Sequence, residues 1–262
     1  MDRLKTLKIV KIGGNVIDDF QELTSFLTVF SLIKGPKILV HGGGKSATAL
    51  ANQMGLEVQM IEGRRITNAA TLELITMVYA GKINKTIVAQ LQALNCNALG
   101  FSGADGNSII SEKRPISTID YGFVGDVKHV ETSTLELLLE QGLSPVFCAI
   151  THDANGQLLN TNADTIASEL AIAFSSQYKV ELYYCFEKKG VLKDINDEDS
   201  VIQAITQSSY KELLDAQLIF SGMLPKLNNC FHALDHKVSK VCIGRPEMLL
   251  NSEAIFTTLT IQ

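Results

Sequence analysis

Lys37-Ile38-Leu39-Val40-His41-Gly42-Gly43-Gly44-Lys45-Ser46 reads as a buried strand that runs into a turn with no side chains in the way. Nearer the N-terminus, Lys8-Ile9-Val10-Lys11-Ile12-Gly13-Gly14 has the same form. Where a strand hands over to a helix, such a turn presents several N–H groups beside a helix N-terminus. That is an anion site, and phosphate is its usual occupant. Three adjacent glycines cost backbone entropy that a plain turn does not need. With Lys11 beside the first turn and Lys45 beside the second, the pair predicts a polyphosphate held from two sides.

Outward from these turns, strands and helices alternate. Strands are expected at 8–12, 37–40, 97–101, 108–111, 144–150, 157–159, 180–186 and 240–243, with a hairpin across 121–130. Helices are expected at 18–34, 46–54, 68–94, 134–141, 162–174, 198–206, 208–217 and from 222 to 234. This order predicts an α/β fold with a mostly parallel sheet covered on both faces. Ligands on such sheets sit at the carboxyl ends of strands, where both glycine turns lie. No repeat or low-complexity linker appears, so any two lobes join closely, near 171–178.

The chain has 262 residues, 46% of them hydrophobic and 19% charged, a globular balance. No apolar run approaches a membrane span, and Met1-Asp2-Arg3-Leu4-Lys5 lacks the apolar core of a signal peptide. Five scattered cysteines (Cys96, Cys148, Cys185, Cys230 and Cys242) form no CxxC pair. They read as core thiols of a reducing cytoplasm. A net charge of −5, with no Trp and no basic stripe, disfavours nucleic-acid binding. Attraction for an anion must then come from a few placed cations and from backbone dipoles.

The turn at 42–46 fits two known phosphate fingerprints poorly. A P-loop needs glycine where Leu39 stands, inside the strand. Gly42, Gly44 and Ala47 match a dinucleotide-binding spacing, which leaves a nicotinamide-dependent enzyme as one rival. However, the acidic residue about 20 positions on, Glu62, is not at a strand end. Arg64-Arg65 could fork onto a carboxylate. Asn160-Thr161-Asn162-Ala163-Asp164 puts two amides and a carboxylate at a strand-to-helix junction, where only one of them can be the cap. Lys226 lies near a helix N-terminus, where the macrodipole disfavours a cation unless an anion is close. His232 and His236 are one helical turn apart but lack a third metal ligand.

Taken in order, Lys11-Ile-Gly-Gly, His41-Gly-Gly-Gly, Gly63-Arg-Arg65-Ile-Thr, Asn160-Thr-Asn-Ala-Asp164 and Gly222-Met-Leu-Pro-Lys226 resemble the amino-acid kinase family. Within it the chain looks like the N-acetylglutamate kinases. The resemblance implies a three-layer αβα open sandwich. It implies an N-terminal lobe (1–174) that binds an acyl amino acid and dimerises, and a C-terminal lobe (175–262) that binds ATP. Lys11 and Lys226 would contact the transferred phosphoryl group, and Asp164 would hold both lysines. Gly43, Gly44, Arg65 and Asn160 would bind the amino acid. Gly13, Gly14, Glu187, Gly190, Gly222 and Met223 would bind the nucleotide, which carries Mg²⁺; no protein-held metal is implied. The nucleophile would be the side-chain carboxylate of an N-acylglutamate, which is ionised at neutral pH and needs no general base. Acetyl is the default acyl group and succinyl the alternative.

The sequence departs from the family in two places. Where the family has Ser/Thr-Asp-Val-x-Gly, this chain has Tyr184-Cys185-Phe186-Glu187-Lys188-Lys189-Gly190. The usual Asp before the Gly-Met pair is Ser221. The altered stretch keeps a non-catalytic amino-acid or nucleotide sensor as a second rival. Apolar residues on more than one face of 68–94 predict a homodimer. With Met1 to Leu7 ahead of the first strand, the chain is expected to be of the short, arginine-insensitive kind.

Overall fold

The computed structural model describes residues 4–61, 64–194, 196–215 and 223–261. In chain order its strands are β1 (Thr6–Ile12), β2 (Lys37–His41), β3 (Met60–Ile61), β4 (Arg64–Arg65), β5 (Ala98–Phe101), β6 (Ile109–Lys113) and β7 (Gly125–Val130). They continue with β8 (Ser144–Phe147), β9 (Ile150–His152), β10 (Leu158–Asn160), β11 (Lys179–Cys185), β12 (Ala204–Thr206), β13 (Lys240–Gly244) and β14 (Thr257–Thr260). The α-helices are α1 (Gly14–Asp18), α2 (Phe20–Leu32), α3 (Gly44–Gln53), α4 (Ala69–Thr76), α5 (Asn84–Ala93), α6 (Ser133–Glu140), α7 (Ala163–Phe174), α8 (Gln207–Asp215) and α9 (Leu224–Asp235).

Eight strands form the main sheet in the order β12-β14-β13-β11-β1-β2-β8-β5. Six of them, β13 to β5, are mutually parallel. At the β13 side, β14 runs antiparallel to β13 and parallel to β12. Consecutive residues of β1 (Ile9, Val10) and all five of β2 are buried, so both faces of the sheet are covered. The α/β expectation with a mostly parallel sheet holds. In register, Ile12 lies beside His41 and Cys185, and Cys185 beside Gly244. Both glycine turns therefore open at the same carboxyl edge.

Several expected elements differ. The expected helix at 18–34 is two helices. The first starts at Gly14, and Asp19 breaks the run because its carboxylate accepts from the N–H groups of Gln21 and Glu22 and caps α2. The expected strand at 144–150 splits at Cys148 and Ala149, and its second half, β9, joins a separate sheet of order β10-β9-β6-β7. The expected hairpin at 121–130 is not internal: β7 pairs antiparallel with β6. Residues 198–206 are not helical. Glu198 and Asp199 are drawn off by Lys188 and Lys189, and 204–206 forms the edge strand β12.

Residues 69–93 run as one helix interrupted by a π-helical segment, Met77–Ile83, between α4 and α5. An extra residue in one turn rotates the later turns about the helix axis, so the apolar stripe changes face along the helix. Leu72, Leu74, Ile75, Val78, Ile83, Ile87 and Leu91 are all buried within this one chain, and Val88 is partly buried. These residues serve the chain's own core, while Met77 and Leu94 of the same stretch stay exposed. All five cysteines are free and buried.

Candidate active site

Lys11 is the penultimate residue of β1, and its neighbour across the parallel register is Tyr184 of β11. The two side chains leave the same face of the sheet, where α7 begins. Asn162 caps that helix, accepting from Asp164 N at 2.7 Å and Thr165 N at 3.3 Å. Asp164 is thus not needed as the cap. Its carboxylate instead bridges two cations, with Lys11 Nζ 2.7 Å from Oδ1 and Lys226 Nζ 2.9 Å from Oδ2. The Tyr184 hydroxyl donates to the Asp164 carbonyl at 3.2 Å, and Lys226 Nζ lies 5.0 Å from the centre of the Tyr184 ring.

Burial works against ionising Asp164, but the charges of Lys11 and Lys226 outweigh it and hold the carboxyl well below the usual carboxylate range. Burial lowers the Lys11 pKa, Asp164 opposes that, and Lys226 adds to the lowering. The three charges sum to +1 beside the first turns of α7 and α9. The arrangement is a cationic seat for an anion.

Lys11 Nζ lies under the first glycine turn, 3.9 Å from where a Cβ on Gly13 would be. The caps of α1 and α3, Gly13 and Gly43, carry no side-chain hydrogen bond, which leaves the N–H groups there open to a ligand. Gly43 is glycine for room: a Cβ there would stand 2.5 Å from Ile83 Cδ1 and 2.8 Å from Tyr79 Cδ1, both on the π-helical segment.

Beyond Gly43 and Gly44 a cleft opens, walled by Tyr79, Arg65, Asn160 and Asn162. Arg65 is buried. Its Nη2 donates to Gly44 O and Thr48 Oγ1, each at 2.8 Å, while its buried Nη1 has no partner. An unpartnered buried guanidinium nitrogen is costly unless a ligand completes it. Asn160 Nδ2 donates to Thr67 Oγ1 at 2.9 Å, and the fully buried Thr67 backs this wall, its hydroxyl donating to Arg65 O at 3.1 Å. The substrate residues expected from sequence thus share one cleft.

That cleft also holds a residue the sequence did not single out. Arg114 grips Asp126 through Nε at 3.0 Å and through Nη2, and its Nη1 is buried without a partner. The only signal for this pair is the antiparallel pairing of β6 with β7.

A second cleft on the far side of Gly14 is lined by Gly13, Gly14, Lys45, Phe186 and Glu187. It continues to Glu198, Arg245 and Glu247. Arg245 donates to the Glu187 carbonyl at 2.8 Å and pairs with Glu198 at 3.0 Å, and Glu198 also pairs with Lys188 at 2.9 Å. The unusual Glu187-Lys188-Lys189 stretch is therefore tied down by ion pairs. Gly190 does not face this cleft in the same way: it is buried, and a Cβ there would meet Thr257 Oγ1 at 2.6 Å. Met223 is the N-cap of α9, three residues before Lys226. Gly222, Ser221, Glu62 and Gly63 lie outside the described residues. His232 pairs with Glu169 at 3.4 Å, and no cluster of three or more metal-ligating side chains occurs among the described residues. No described helix is long and apolar enough to cross a membrane.

Residues 6–245 match the amino acid kinase family. The chain is 54% identical over 248 residues to an acetylglutamate kinase of Cytophaga hutchinsonii, covering 94% of each chain. It is 54% identical over 237 residues to an acetylglutamate kinase of Phocaeicola vulgatus, covering 90% of this chain and 92% of that one. Among solved structures, N-acetylglutamate synthase from Neisseria gonorrhoeae superposes with a TM-score of 0.83 at 18% identity. That match covers 99% of this chain and 60% of the synthase, and it speaks for the fold alone.

Proposed function

The chain belongs to the amino acid kinase family, and from that premise we propose that it transfers the terminal phosphoryl group of ATP to the side-chain carboxylate of N-acetyl-L-glutamate, a step of arginine biosynthesis. The observation that carries this is the Lys11–Asp164–Lys226 bridge, with Lys11 Nζ beside Gly13 of one cleft and with Asp164 between Ala163 and Thr165 of the other, the two clefts sharing Gly44. Relatives 54% identical over most of their length are acetylglutamate kinases, which supports the same substrate here.

In this reading a carboxylate oxygen of the amino acid attacks the terminal phosphorus. A new O–P bond forms, the bond from phosphorus to the bridging oxygen breaks, and ADP leaves with the electron pair. Both reactants are anions, so catalysis consists of bringing them into line and neutralising their charge. Lys11 and Lys226 supply the charge at the transferred group. Asp164 positions both lysines and takes no proton, in keeping with its lowered pKa. The N–H groups of the glycine turns add directed donors. Arg65, through its unpartnered Nη1, and Asn160 hold the α-carboxylate end. ATP carries Mg²⁺ on its own phosphates, and none of these steps is assigned to the ion.

The division of labour follows the two clefts: residues 1–174 bind the acyl amino acid, and 175–262 hold ATP together with Gly13 and Gly14. Glu187, Gly222 and Met223 are assigned to the nucleotide side, and Gly190, buried against Thr257, stands behind that side rather than lining it. The enzyme works in the cytoplasm as a homodimer, and light scattering tests the latter.

N-succinylglutamate is the second reading, and Arg114 favours it. Its buried Nη1 gives the same cleft a second unpartnered cationic donor, suited to an extra carboxylate on the acyl group. The deciding experiment follows ATP turnover in hydroxylamine, which traps acyl phosphates, against glutamate and its N-acetyl and N-succinyl derivatives. Trapped product with an N-acylglutamate is expected. Binding of these ligands without turnover of any of them would overturn the kinase reading in favour of a sensor.

A further inference from the structure

His41 is a buried titratable group to which phosphoryl transfer as proposed gives no part. It ends β2, is wholly buried, and immediately precedes the three glycines. Its Nε2 lies 3.1 Å from Asn84 Nδ2, and its Nδ1 lies 2.8 Å from Gly42 O. The tautomer follows from the partners. Asn84 Nδ2 also sits 2.8 Å from Val146 O. A carbonyl oxygen only accepts, so the Asn84 atom there is the amide nitrogen, which only donates. His41 Nε2 must therefore accept, and the proton is on Nδ1, which donates to Gly42 O. Burial pushes the His41 pKa down to about 4, so the ring is neutral around pH 7.

Asn84 has no freedom to turn over. It is 1% exposed, and it begins α5 directly after the π-helical segment. A Cβ on Gly100 would lie 2.0 Å from its Oδ1, so the neighbouring strand gives way to that side chain.

A hydrogen bond to Gly42 O fixes more than one atom. No described peptide bond is cis. In a planar trans peptide the carbonyl of Gly42 and the N–H of Gly43 point in opposite directions. His41 draws the carbonyl to the buried side, which turns the Gly43 N–H toward the cleft that Gly42, Gly43 and Gly44 line. Tyr79 and Ile83 press on Gly43 from behind. A glycine-rich turn without such a hold could flip this peptide freely.

We propose that His41, locked as its Nδ1–H tautomer by Asn84, is a positioning residue that aims the Gly43 N–H at the transferred phosphoryl group. This rests on the phosphoryl-transfer reading of the site. The donor then acts mainly as charge shifts during transfer, so the effect falls on kcat rather than on KM.

The test compares His41→Leu, which removes the donor, with His41→Asn, whose amide N–H can occupy the place of Nδ1–H. His41→Leu should lower kcat on the order of 10²-fold with little change in KM for either substrate, and His41→Asn should recover most of the loss. ¹⁵N NMR of the imidazole in the unsubstituted protein should show a neutral ring protonated at Nδ1, which needs no variant to fold. A ring protonated at Nε2, or a folded His41→Leu with the parent's kcat, overturns the proposal. Lys11→Ala run in parallel separates the two levels. If Lys11→Ala keeps turnover, the phosphoryl-transfer reading falls. If Lys11→Ala is inactive while His41→Leu turns over as the parent does, only the role of His41 falls.

Discussion

Replacing Asp164 with asparagine keeps the shape of the bridge and removes its only negative charge. Lys11 and Lys226 contact separate oxygens of that carboxylate, at 2.7 and 2.9 Å, so the two cations stand close together. Their mutual repulsion is present in the parent and persists in the variant; what the variant loses is the attraction of the carboxylate for each lysine, about 4 kcal/mol for unit charges roughly 4 Å apart at an effective dielectric constant of about 20. That equals about three pKa units. Lys11 feels the loss most, because burial already lowers its pKa and Asp164 is what opposes the fall. In Asp164→Asn the alkaline limb of kcat should therefore move toward neutrality by about three units. Turnover should fall off at a lower pH than in the parent and recover as the pH is lowered and Lys11 regains its proton. The assay is ADP release followed by coupled enzymes across the pH range in which the protein stays folded, with the parent alongside. A variant whose pH profile superimposes on the parent's, whatever its absolute rate, would refute the view that Asp164 sustains the charge of the two lysines.

Lys11→Ala and Lys226→Ala should each lower kcat by about 10²–10³ while leaving KM for the acyl amino acid close to the parent's; steady-state kinetics on both substrates checks this, and a near-parental kcat in either contradicts the assignment. Arg65→Ala should chiefly raise KM for the acyl amino acid, because the contact lies away from the phosphoryl group and serves ground state and transition state alike; a rise confined to KM for ATP would move Arg65 to the nucleotide side. Acid stability should carry the mark of Asp164. Its folded pKa lies below the unfolded value of about 3.9. Its stabilisation is therefore complete above that value and is lost as pH falls through the folded one. The buried charge of Lys11, whose pKa is lowered, costs the same at every pH below its folded pKa and adds no slope in that window. The difference in unfolding free energy between parent and Asp164→Asn, from urea titrations, should shrink as the pH falls below about 4.

The parallel core of the sheet was legible because β1, β2 and β11 are short apolar runs buried on both faces and punctuated by glycine, a pattern with few other structural solutions. The second sheet was not. Its strands are brief and partly exposed, and β6 and β7 recognise each other across a connection that leaves no local signature. Arg114 escaped notice for that reason, since Asp126 becomes its partner only once the register is set. The run from Glu198 shows the opposite failure, where local helical character yields to ion pairs with Lys188, Lys189 and Arg245 that no sequence window contains.

Residues 68–94 show how one backbone irregularity can redistribute an apolar surplus. A helix with a single face to bury has no use for apolar residues at all of Leu72, Leu74, Ile75, Val78, Ile83, Ile87 and Leu91, so the pattern points to a second surface. The π-helical segment supplies a different solution: the stripe rotates, and every one of those residues finds the chain's own core. The same segment carries Tyr79 and Ile83 against Gly43 and sets Asn84 under His41. A π-bulge costs helix stability and persists where it serves a site. Here it determines which face of the helix reaches the glycine turn, so the irregularity that hid the true burial pattern is also what supports the catalytic loop from below.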